Sequence, residues 1–342
     1  MHYLITGGTG YIGSHMAALL HQQGHRVTVL DNFSNSTPEA LARLQQLCDH
    51  AINFYNTNIC DPVQLRIAFA EAMAIEPIKA VLHFAGLKAV GESHQNAIAY
   101  YQTNVSGTLT LCDVMREFKV WSLVFSSSAT VYGDPEKLPV NELCKTGNTT
   151  NPYGTSKWMC EKALQDIAFS HPCWRIAVLR YFNPAGAWAE GKLGEQPRGT
   201  PNNLLPYVFD VALGVRSGVK IFGDDYATTD GTGERDYIHV MDLVEGHAAA
   251  LKYLEKNPGL DVFNLGCGQA YSVKQVIQKV AELTQRPIPF KVEQRRDGDL
   301  AVVYADASKA RKLLQWEAHR DLTTMLQDQW AWSQRLHGTT TP

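Results

Sequence analysis

The stretch TGGTGYIGSH near the N-terminus constrains the fold of this 342-residue chain more than any other feature. Its glycines at positions 7, 10 and 13 directly follow the apolar segment HYLIT and open a helical pattern. Gly7 permits a tight turn, Gly10 lets the backbone approach a pyrophosphate, and Gly13 lets the helix and the strand pack closely. The helix N-terminus also attracts the phosphate charge. The stretch therefore predicts a dinucleotide-binding strand–turn–helix unit.

Asp31 supports this prediction, because it ends the second predicted strand, 18 residues after Gly13. A carboxylate at that place can accept hydrogen bonds from both hydroxyls of an adenosine ribose. A 2′-phosphate would instead meet the negative charge of Asp31, so the predicted cofactor is NAD rather than NADP.

Strand and helix patterns alternate through the first half of the chain. Buried strands are indicated at residues 2–6, 26–31, 78–86, 121–128 and 175–183, and helices at residues 11–24 and 153–169. Such alternation predicts an α/β fold built on a Rossmann-type, doubly wound parallel sheet with helices on both faces. Polar residues end several of these strands, and open α/β sheets bind ligands at that edge.

The sequence changes character after residue 183. Residues 184–204 are rich in Gly and Pro without clear periodicity, which is typical of a functional or a disordered loop. Shorter elements follow, including helical patterns at 240–254, 272–285 and 321–336. We expect an NAD-binding domain at residues 1–180, which the chain rejoins around 235–265, and a smaller C-terminal α/β substrate domain at residues 181–342.

Charge and cysteine content narrow the class of protein. The formal net charge of -3 is too small to indicate a nucleic-acid or membrane partner. No apolar run approaches the ~20 residues that span a bilayer, and no signal-peptide pattern opens the chain. The 7 cysteines are scattered without a Cys-x-x-Cys pair, which argues against a disulfide framework and a zinc site. We therefore expect a cytoplasmic protein without a metal centre.

Tyr153 and Lys157 lie four residues apart, on one face of a predicted helix. In an arbitrary sequence such a pair is most often ordinary helix surface. Beside a nicotinamide, however, Lys157 and the positive ring are expected to lower the pKa of Tyr153, which is about 10 when unperturbed. Ser128, at the end of the preceding strand, can then bridge a substrate hydroxyl to Tyr153.

The chain resembles the extended short-chain dehydrogenases/reductases, and within them the UDP-hexose 4-epimerases, over about residues 2–335. The matching segments are TGGTGYIGSH, HFAGLKAVGES, FSSSATVYGD, NPYGTSK, LRYFNPAGA, PNNLLPY, GTGERDYIHVMDL, FNLGCG and RRDGDL. The resemblance implies a homodimer that interconverts UDP-galactose and UDP-glucose with tightly held NAD. Tyr153 would take the proton of the sugar 4-hydroxyl while C4 gives a hydride to NAD. The 4-keto sugar would then rotate, and the hydride would return to its other face.

The resemblance also implies which residues bind the two ligands. Cofactor contacts are implied for Gly7, Gly10, Tyr11, Ile12, Gly13, Asp31, Asn32, Asn35, Ser36, Asn58, Ile59, Phe84, Ala85, Lys88, Asn104, Ser126, Ser128, Tyr153, Lys157 and Tyr181. Substrate contacts are implied for Lys88, Ser128, Tyr153, Phe182, Asn183, Asn202, Asn203, Leu204, Lys220, Ile221, Phe222, Arg235, Tyr237, Arg296, Asp299 and Val303. Arginine forks suit a diphosphate, although Arg296 and Asp299 can also be read as a surface salt bridge.

Three positions depart from the pattern of this family. Asn58 stands where many members carry an aspartate, and Thr103 replaces an asparagine found in some members. Val303 takes a position that is tyrosine in some epimerases and a small residue in others. Since tyrosine there would crowd an N-acetyl group, we expect a strong preference for UDP-galactose and UDP-glucose. Weak turnover of UDP-N-acetylhexosamines stays open.

Other functions on the same fold stay open at this point. Sugar-nucleotide dehydratases and decarboxylases carry acidic residues after the strand-end Ser/Thr, where this chain has Ala129 and Thr130. A non-catalytic NAD-binding regulator is a second alternative, although it predicts a broken Ser-Tyr-Lys set. Net oxidation to a released keto sugar is a third, and it predicts that NADH accumulates.

Overall fold

The computed structural model describes residues 1–196, 198–199, 201, 203–296 and 298–338 of the chain. The strands in these residues are β1 (His2–Thr6), β2 (Arg26–Asp31), β3 (Asn53–Asn56), β4 (Ile78–His83), β5 (Ser122–Ser128), β6 (Arg175–Tyr181), β7 (Asn183–Ala185), β8 (Val219–Phe222), β9 (Glu234–His239), β10 (Gly259–Leu265), β11 (Ala270–Ser272), β12 (Phe290–Glu293) and β13 (Val302–Val303). Seven of them form a parallel sheet in the order β3-β2-β1-β4-β5-β6-β10. This confirms the predicted doubly wound α/β class.

The helices are α1 (Tyr11–Gln22), α2 (Pro38–Leu47), α3 (Pro62–Ile75), α4 (Val90–Gln95), α5 (Ala97–Tyr100), α6 (Gly107–Glu117), α7 (Pro152–Ser170), α8 (Leu204–Ala212), α9 (Val240–Leu254), α10 (Val273–Thr284), α11 (Ser308–Leu314) and α12 (Leu322–Leu336). A turn of π-helix at Tyr101–Ser106 leads into α6. Across the described ranges, these helices are all too short or too polar to cross a membrane.

Apolar residues cover both faces of the large sheet. Tyr3 and Ile5 of β1 pack into one core with α1, α2, α9 and α11, while Leu4 packs into a second core with α3, α6 and α7. This alternation follows from the strand geometry, in which successive side chains point to opposite faces. Strand order reverses between β1 and β4, which opens a crevice at the C-terminal ends of those strands.

The segments after β6 build a smaller unit. Strand β9 pairs with β7, β11 and β13, and β8 pairs with β12. Helices α8, α10 and α12 pack over these strands around a third apolar core. In contrast, α9 and β10 return to the large sheet, where β10 pairs with β6.

Two predicted strands are shorter in the structure than in the sequence pattern. The strand expected at 78–86 ends at His83, because Phe84 and Ala85 turn across the backbone of Gly7. The strand expected at 175–183 ends at Tyr181, and residues 183–185 pair instead with β9 in the small sheet. Both breaks occur where the chain leaves the sheet at its C-terminal edge, so the segments after them border the crevice.

Candidate active site

The glycine loop has the shape that a dinucleotide requires. Gly7 has a φ of 67°, and a side chain there would place its Cβ 2.6 Å from the backbone N of Ala85. A Cβ at Gly13 would overlap the carbonyl oxygen of Gly7, whereas a Cβ at Gly10 would meet only that oxygen, at 3.2 Å. Gly7 and Gly13 therefore make the turn possible, and Gly10 leaves the outer surface of the loop open for a phosphate.

Asp31 lies at the end of β2 and is buried against this loop. Its carboxylate accepts hydrogen bonds from Thr9 N at 3.1 Å, Phe33 N at 2.8 Å and Ser36 Oγ at 3.0 Å. A carboxylate offers about four acceptor positions, of which three are filled here. Asp31 can thus accept one ribose hydroxyl as it stands. To accept both ribose hydroxyls, as expected from the sequence, Asp31 would have to give up one of its present hydrogen-bond donors, such as Ser36.

The other cofactor-side predictions fall on several elements of the large unit. Tyr11 begins α1 and donates from its hydroxyl to the carbonyl oxygen of Gly186 at 2.6 Å. Asn58 accepts at its side-chain oxygen from Cys60 N at 3.0 Å, and the neighbouring Ile59 is buried. The remaining positions are Ile12 in α1, Asn32 and Asn35 after β2, and Phe84 and Ala85 after β4.

Asn104 supports the site from behind. Its amide bonds both backbone groups of Leu87, at 2.8 and 3.0 Å, and donates to Ser156 Oγ at 2.9 Å. These contacts fix the loop after β4 against α7, which carries Tyr153 and Lys157. Both amide hydrogens are used in this way, so Asn104 holds the loop and the helix in place, and its contact with the cofactor stays a prediction.

The three predicted catalytic residues meet at the C-terminal edge of the sheet. Ser128 ends β5, and helix α7 begins at Pro152 with Asn151 as its cap, accepting from Gly154 N at 2.8 Å. The cap fixes the first two turns of α7, where Tyr153 and Lys157 lie. Lys157 Nζ donates to the carbonyl oxygen of Ser126 at 2.8 Å. One turn of helix and one strand end thus bring the hydroxyl groups and the amine together.

Burial dominates the acid–base properties of this group. It raises the pKa of Tyr153 above its ordinary value, while the hydrogen bond with Ser128 lowers it. Burial also lowers the pKa of Lys157, and the nearby Cys160 and Glu161 partly oppose that change. Lys157 donates here to a backbone carbonyl, so the lowering of the Tyr153 pKa that is expected from Lys157 and a nicotinamide ring together stays a prediction for the NAD-bound protein. The Lys157 ammonium faces the Ser126 carbonyl and lies 5.0 Å from the centre of the Phe125 ring.

A buried charge network lies behind these residues and was not found from the sequence. Arg180 pairs with Glu161, with Nη2 2.5 Å from Oε2, and both side chains are almost fully buried. Ser127 Oγ donates to Glu161 at 2.5 Å, and Arg180 Nη1 donates to the hydroxyl of Tyr132 at 3.0 Å. One signal was available, because Glu161 follows Lys157 by four residues and therefore shares its helix face.

Ser126 and Tyr181 also lie at this edge, on neighbouring strands. Their hydroxyl groups are hydrogen bonded to each other, and both residues are buried. Beside them lies the ring of His247. Its centre is 4.8 Å from the centre of the Phe84 ring and 5.7 Å from the centre of the Tyr181 ring. The strand ends thus present a closely packed wall to the crevice.

The predicted diphosphate-binding arginines lie in the smaller unit. Arg235 donates to the carbonyl oxygen of Leu300 at 2.7 Å, and its Nη2 lies 3.8 Å from Oδ1 of Asp299. The Arg296 guanidinium stacks 3.7 Å from the centre of the Phe222 ring. Asp299 therefore faces Arg235. The alternative, a surface salt bridge between Arg296 and Asp299, is not formed in the structure, which describes both residues.

The other predicted substrate residues differ in how far they are buried. Ile221 and Tyr237 pack in the apolar core of the smaller unit. Lys220 is exposed on β8, Phe182 and Val303 belong to a small apolar cluster, and Asn183 is exposed at the start of β7. Leu204 begins α8, and Asn202 lies outside the described residues.

Lys88 makes a contact that the sequence did not indicate. Its Nζ lies 2.6 Å from Oε1 of Glu195, a buried carboxylate in the segment after β7. The same carboxylate accepts from Asn203 Nδ2 at 2.8 and 2.9 Å. Glu195 had no periodic context in a Gly- and Pro-rich stretch, so its role depends on the tertiary fold alone.

Comparison with known proteins gives a consistent result. Residues 3–266 match the NAD dependent epimerase/dehydratase family. The chain is 49% identical over 335 residues to the UDP-glucose 4-epimerase of Pasteurella multocida (strain Pm70), covering 98% of both proteins. Among solved structures it is similar to the UDP-glucose 4-epimerase of Bifidobacterium longum in complex with NAD+ and UDP, with a TM-score of 0.94, 45% identity and 99% of both chains covered. It is also similar to the enzyme of Stenotrophomonas maltophila with bound NAD and formylated UDP-arabinopyranose, with a TM-score of 0.94, 44% identity, and 99% and 100% of the two chains covered.

Proposed function

Because this chain belongs to the NAD dependent epimerase/dehydratase family, we propose that it is an NAD-dependent isomerase that interconverts UDP-galactose and UDP-glucose at sugar C4. The observation that carries the proposal is the meeting of Ser128, Tyr153 and Lys157 at the sheet edge beside the glycine loop. Near full-length similarity to UDP-glucose 4-epimerases supports the same reaction.

The hydroxyl of Tyr153 acts as the acid–base group of the reaction. Ser128 holds the sugar 4-hydroxyl toward Tyr153, whose oxygen takes the proton and later returns it. NAD held at the glycine loop would supply a reversible hydride acceptor for C4, and the positive charge of its ring would favour the Tyr153 phenolate. Lys157 is held by the Ser126 carbonyl oxygen, which leaves two of its three donors for the nicotinamide ribose.

The smaller unit binds the sugar nucleotide in this proposal. Arg235 and Arg296 present guanidinium donors to the diphosphate, and Asp299 accepts from the uridine ribose. The division of labour follows the fold: residues 1–180 together with α9 and β10 carry NAD, and the other residues of 181–342, with Arg235 among them, carry the nucleotide. Stacking of Arg296 on Phe222 supports it, because it brings the positive charge to strand β8.

Dehydration and decarboxylation are disfavoured by the residues after Ser128. Those reactions need an acid beside the strand-end hydroxyl, and Ala129 and Thr130 supply none. The Thr130 hydroxyl instead donates to Ser128 Oγ at 3.0 Å. An isomerase reaction leaves the product with the mass of the substrate, so mass spectrometry separates it from both alternatives.

The decisive experiment incubates the purified protein with UDP-galactose, without added reductant, and resolves the hexoses of the product. Formation of UDP-glucose with no rise in absorbance at 340 nm supports the proposal. An absorbance rise that matches substrate consumption would indicate net oxidation instead. Failure to form UDP-glucose across a range of added NAD would remove the proposal.

The homodimer is the second part of the proposal. Helices α6 and α7 carry the exposed apolar side chains Leu109 and Met159, 43% and 39% accessible, and the adjoining α5 exposes Ile98 at 72%. Packing these helices against a second copy would remove the three apolar side chains from water. Sedimentation should give a dimer mass, and the double variant Leu109→Glu/Met159→Glu should give a monomer. Val215→Glu, at an exposed position of the smaller unit, is the matched control.

A cytoplasmic location completes the proposal. All 7 cysteines are free thiols, and a reducing compartment keeps thiols in that state. Cell fractionation with antibody detection tests this location, and recovery of the protein in a membrane or extracellular fraction would contradict it.

A further inference from the structure

Glu195 occupies an unusual place for a carboxylate. It is 6% accessible and lines a cavity over the glycine loop together with Gly10, Tyr11, Asn35 and Lys88. A buried negative charge is costly unless it is paired and hydrogen bonded. Here Lys88 supplies the positive charge at 2.6 Å, and the side-chain amide of Asn203 donates to both carboxylate oxygens.

The two partners of Glu195 come from different parts of the site. Lys88 follows β4 at the cofactor crevice, whereas Asn203 precedes α8 on the sugar-nucleotide side. The segment that carries Glu195 is held in place at this residue and at the next one. Trp332 Nε1 donates to the Glu195 carbonyl oxygen at 2.9 Å, and Arg43 donates to the side chain of Gln196 at 2.6 Å.

From this arrangement we propose that Glu195 couples the two binding sites, so that a bound UDP-hexose slows the release of NAD. The inference rests on the proposed function. Glu195 acts as a positioning residue, since its carboxylate holds Lys88 and Asn203 in one rigid unit and touches neither reacting atom.

The coupling follows from the shared hydrogen bonds. A lysine ammonium has three donors, so Lys88 can keep Glu195 and still donate to a pyrophosphate oxygen. When a sugar nucleotide immobilises Asn203, the amide fixes Glu195, and Glu195 in turn fixes Lys88. A ligand on one side then removes part of the ordering cost on the other side. Coupling of this kind is reciprocal, so NAD also strengthens the binding of the sugar nucleotide.

The test measures loss of NAD from the holoenzyme after dilution and gel filtration, with and without saturating UDP-glucose, whose epimerisation leaves NAD unchanged. For the unaltered protein, UDP-glucose should slow the loss of NAD by about 5-fold or more, within the usual range of coupling between two sites. Glu195→Gln should reduce this factor to less than about 2-fold, because the amide cannot hold the Lys88 charge and offers one acceptor oxygen.

A second variant, Asn203→Ser, keeps the test informative if Glu195→Gln does not fold. Asn203→Ser removes the amide that reaches Glu195 and should also reduce the factor, with the Glu195–Lys88 pair kept. Glu190→Gln is the matched control, because Glu190 lies in the same segment and pairs at the surface with Lys192 at 2.8 Å. In Glu190→Gln, UDP-glucose should slow the loss of NAD by the same factor as in the unaltered protein.

Failure of this inference differs from failure of the proposed function. If the protein epimerises UDP-galactose but UDP-glucose does not slow NAD loss, or if both variants keep the full factor, the coupling role of Glu195 is wrong. If the protein does not epimerise UDP-galactose at all, the proposed function is wrong, and the inference is lost with it.

Discussion

Arg180 holds Glu161 in a buried ion pair that joins the strand bearing Tyr181 to the helix bearing Tyr153 and Lys157, with 2.5 Å between Nη2 and Oε2. Ser127 adds the third element, because its hydroxyl donates to the same carboxylate. The pair therefore ties β5, β6 and α7 together directly behind the proposed catalytic residues.

We predict that Glu161→Gln lowers the free energy of unfolding by about 3–5 kcal/mol, because it leaves the Arg180 charge buried without its partner. Urea unfolding followed by circular dichroism measures this change. Glu117→Gln is the control, since Glu117 pairs with Arg66 at 2.7 Å on the surface, where it should matter little. Equal effects of the two substitutions would contradict the prediction.

Tyr153→Phe should abolish epimerisation and leave NAD binding largely intact. The substitution removes only the hydroxyl that takes the proton, while the ring and its 6.5 Å contact with Tyr100 stay. Product analysis and the NAD content of the purified variant measure the two effects. Tyr207→Phe, on α8, should retain full activity. Full activity of Tyr153→Phe would mean that the Tyr153–Lys157 pair is ordinary helix surface.

Ser128→Ala should move the rising limb of the pH–rate profile to higher pH. Burial raises the pKa of Tyr153 and the Ser128 hydrogen bond lowers it, so removing that bond leaves the upward effect unopposed. The phenolate fraction at neutral pH then falls, and kcat falls with it. Measurement of kcat from pH 6 to 10 gives the shift, with Ser122→Ala at the other end of β5 as the control. An unchanged profile would show that Ser128 does not tune Tyr153.

The sequence predicted those parts of the site that depend on local backbone geometry. The glycine loop, the strand end at Ser128 and the Tyr153–Lys157 spacing each follow from strand or helix geometry. The short edge strand β3 escaped detection, because its residues are only half-buried and lack a continuous apolar run. Glu195 and Arg180 could not be assigned, since their partners lie 107 and 19 residues away in the chain and meet them only after folding.

Substrate breadth gives a further prediction at Val303. This residue is half-buried on β13, pairs in register with Arg235, and packs in a cluster with Phe182. The protein should strongly prefer UDP-glucose to UDP-GlcNAc, and Val303→Tyr should remove any weak turnover of UDP-GlcNAc, because the larger ring crowds the N-acetyl group. Comparable kcat/KM of the unaltered protein for both substrates would overturn this preference. Val303→Leu, which keeps an aliphatic wall, is the control.

Buried histidines should make the fold sensitive to acid. Burial lowers the pKa of His247 from 6.5 to about 4, and the hydrogen bond between Nδ1 and the Leu243 carbonyl oxygen opposes this change only in part. Among the described residues, the buried Nε2 has no hydrogen-bond partner. A depressed pKa means that the unfolded chain binds a proton more readily than the folded chain below pH 6.5. The contribution of His247 to stability is therefore complete above pH 6.5 and is lost as the pH falls toward about 4.

The size of this effect follows from the unfolded pKa. Between pH 8 and pH 5.5, protonation of His247 in the unfolded chain should lower the free energy of unfolding by about 1.4 kcal/mol. His247→Leu should remove that share of the pH dependence, measured as the difference between urea unfolding curves at the two pH values. His94→Leu is the matched control, because it replaces an exposed histidine, on α4, in the same way. The same pH dependence in His247→Leu as in the unaltered protein would mean that His247 is not held neutral by burial.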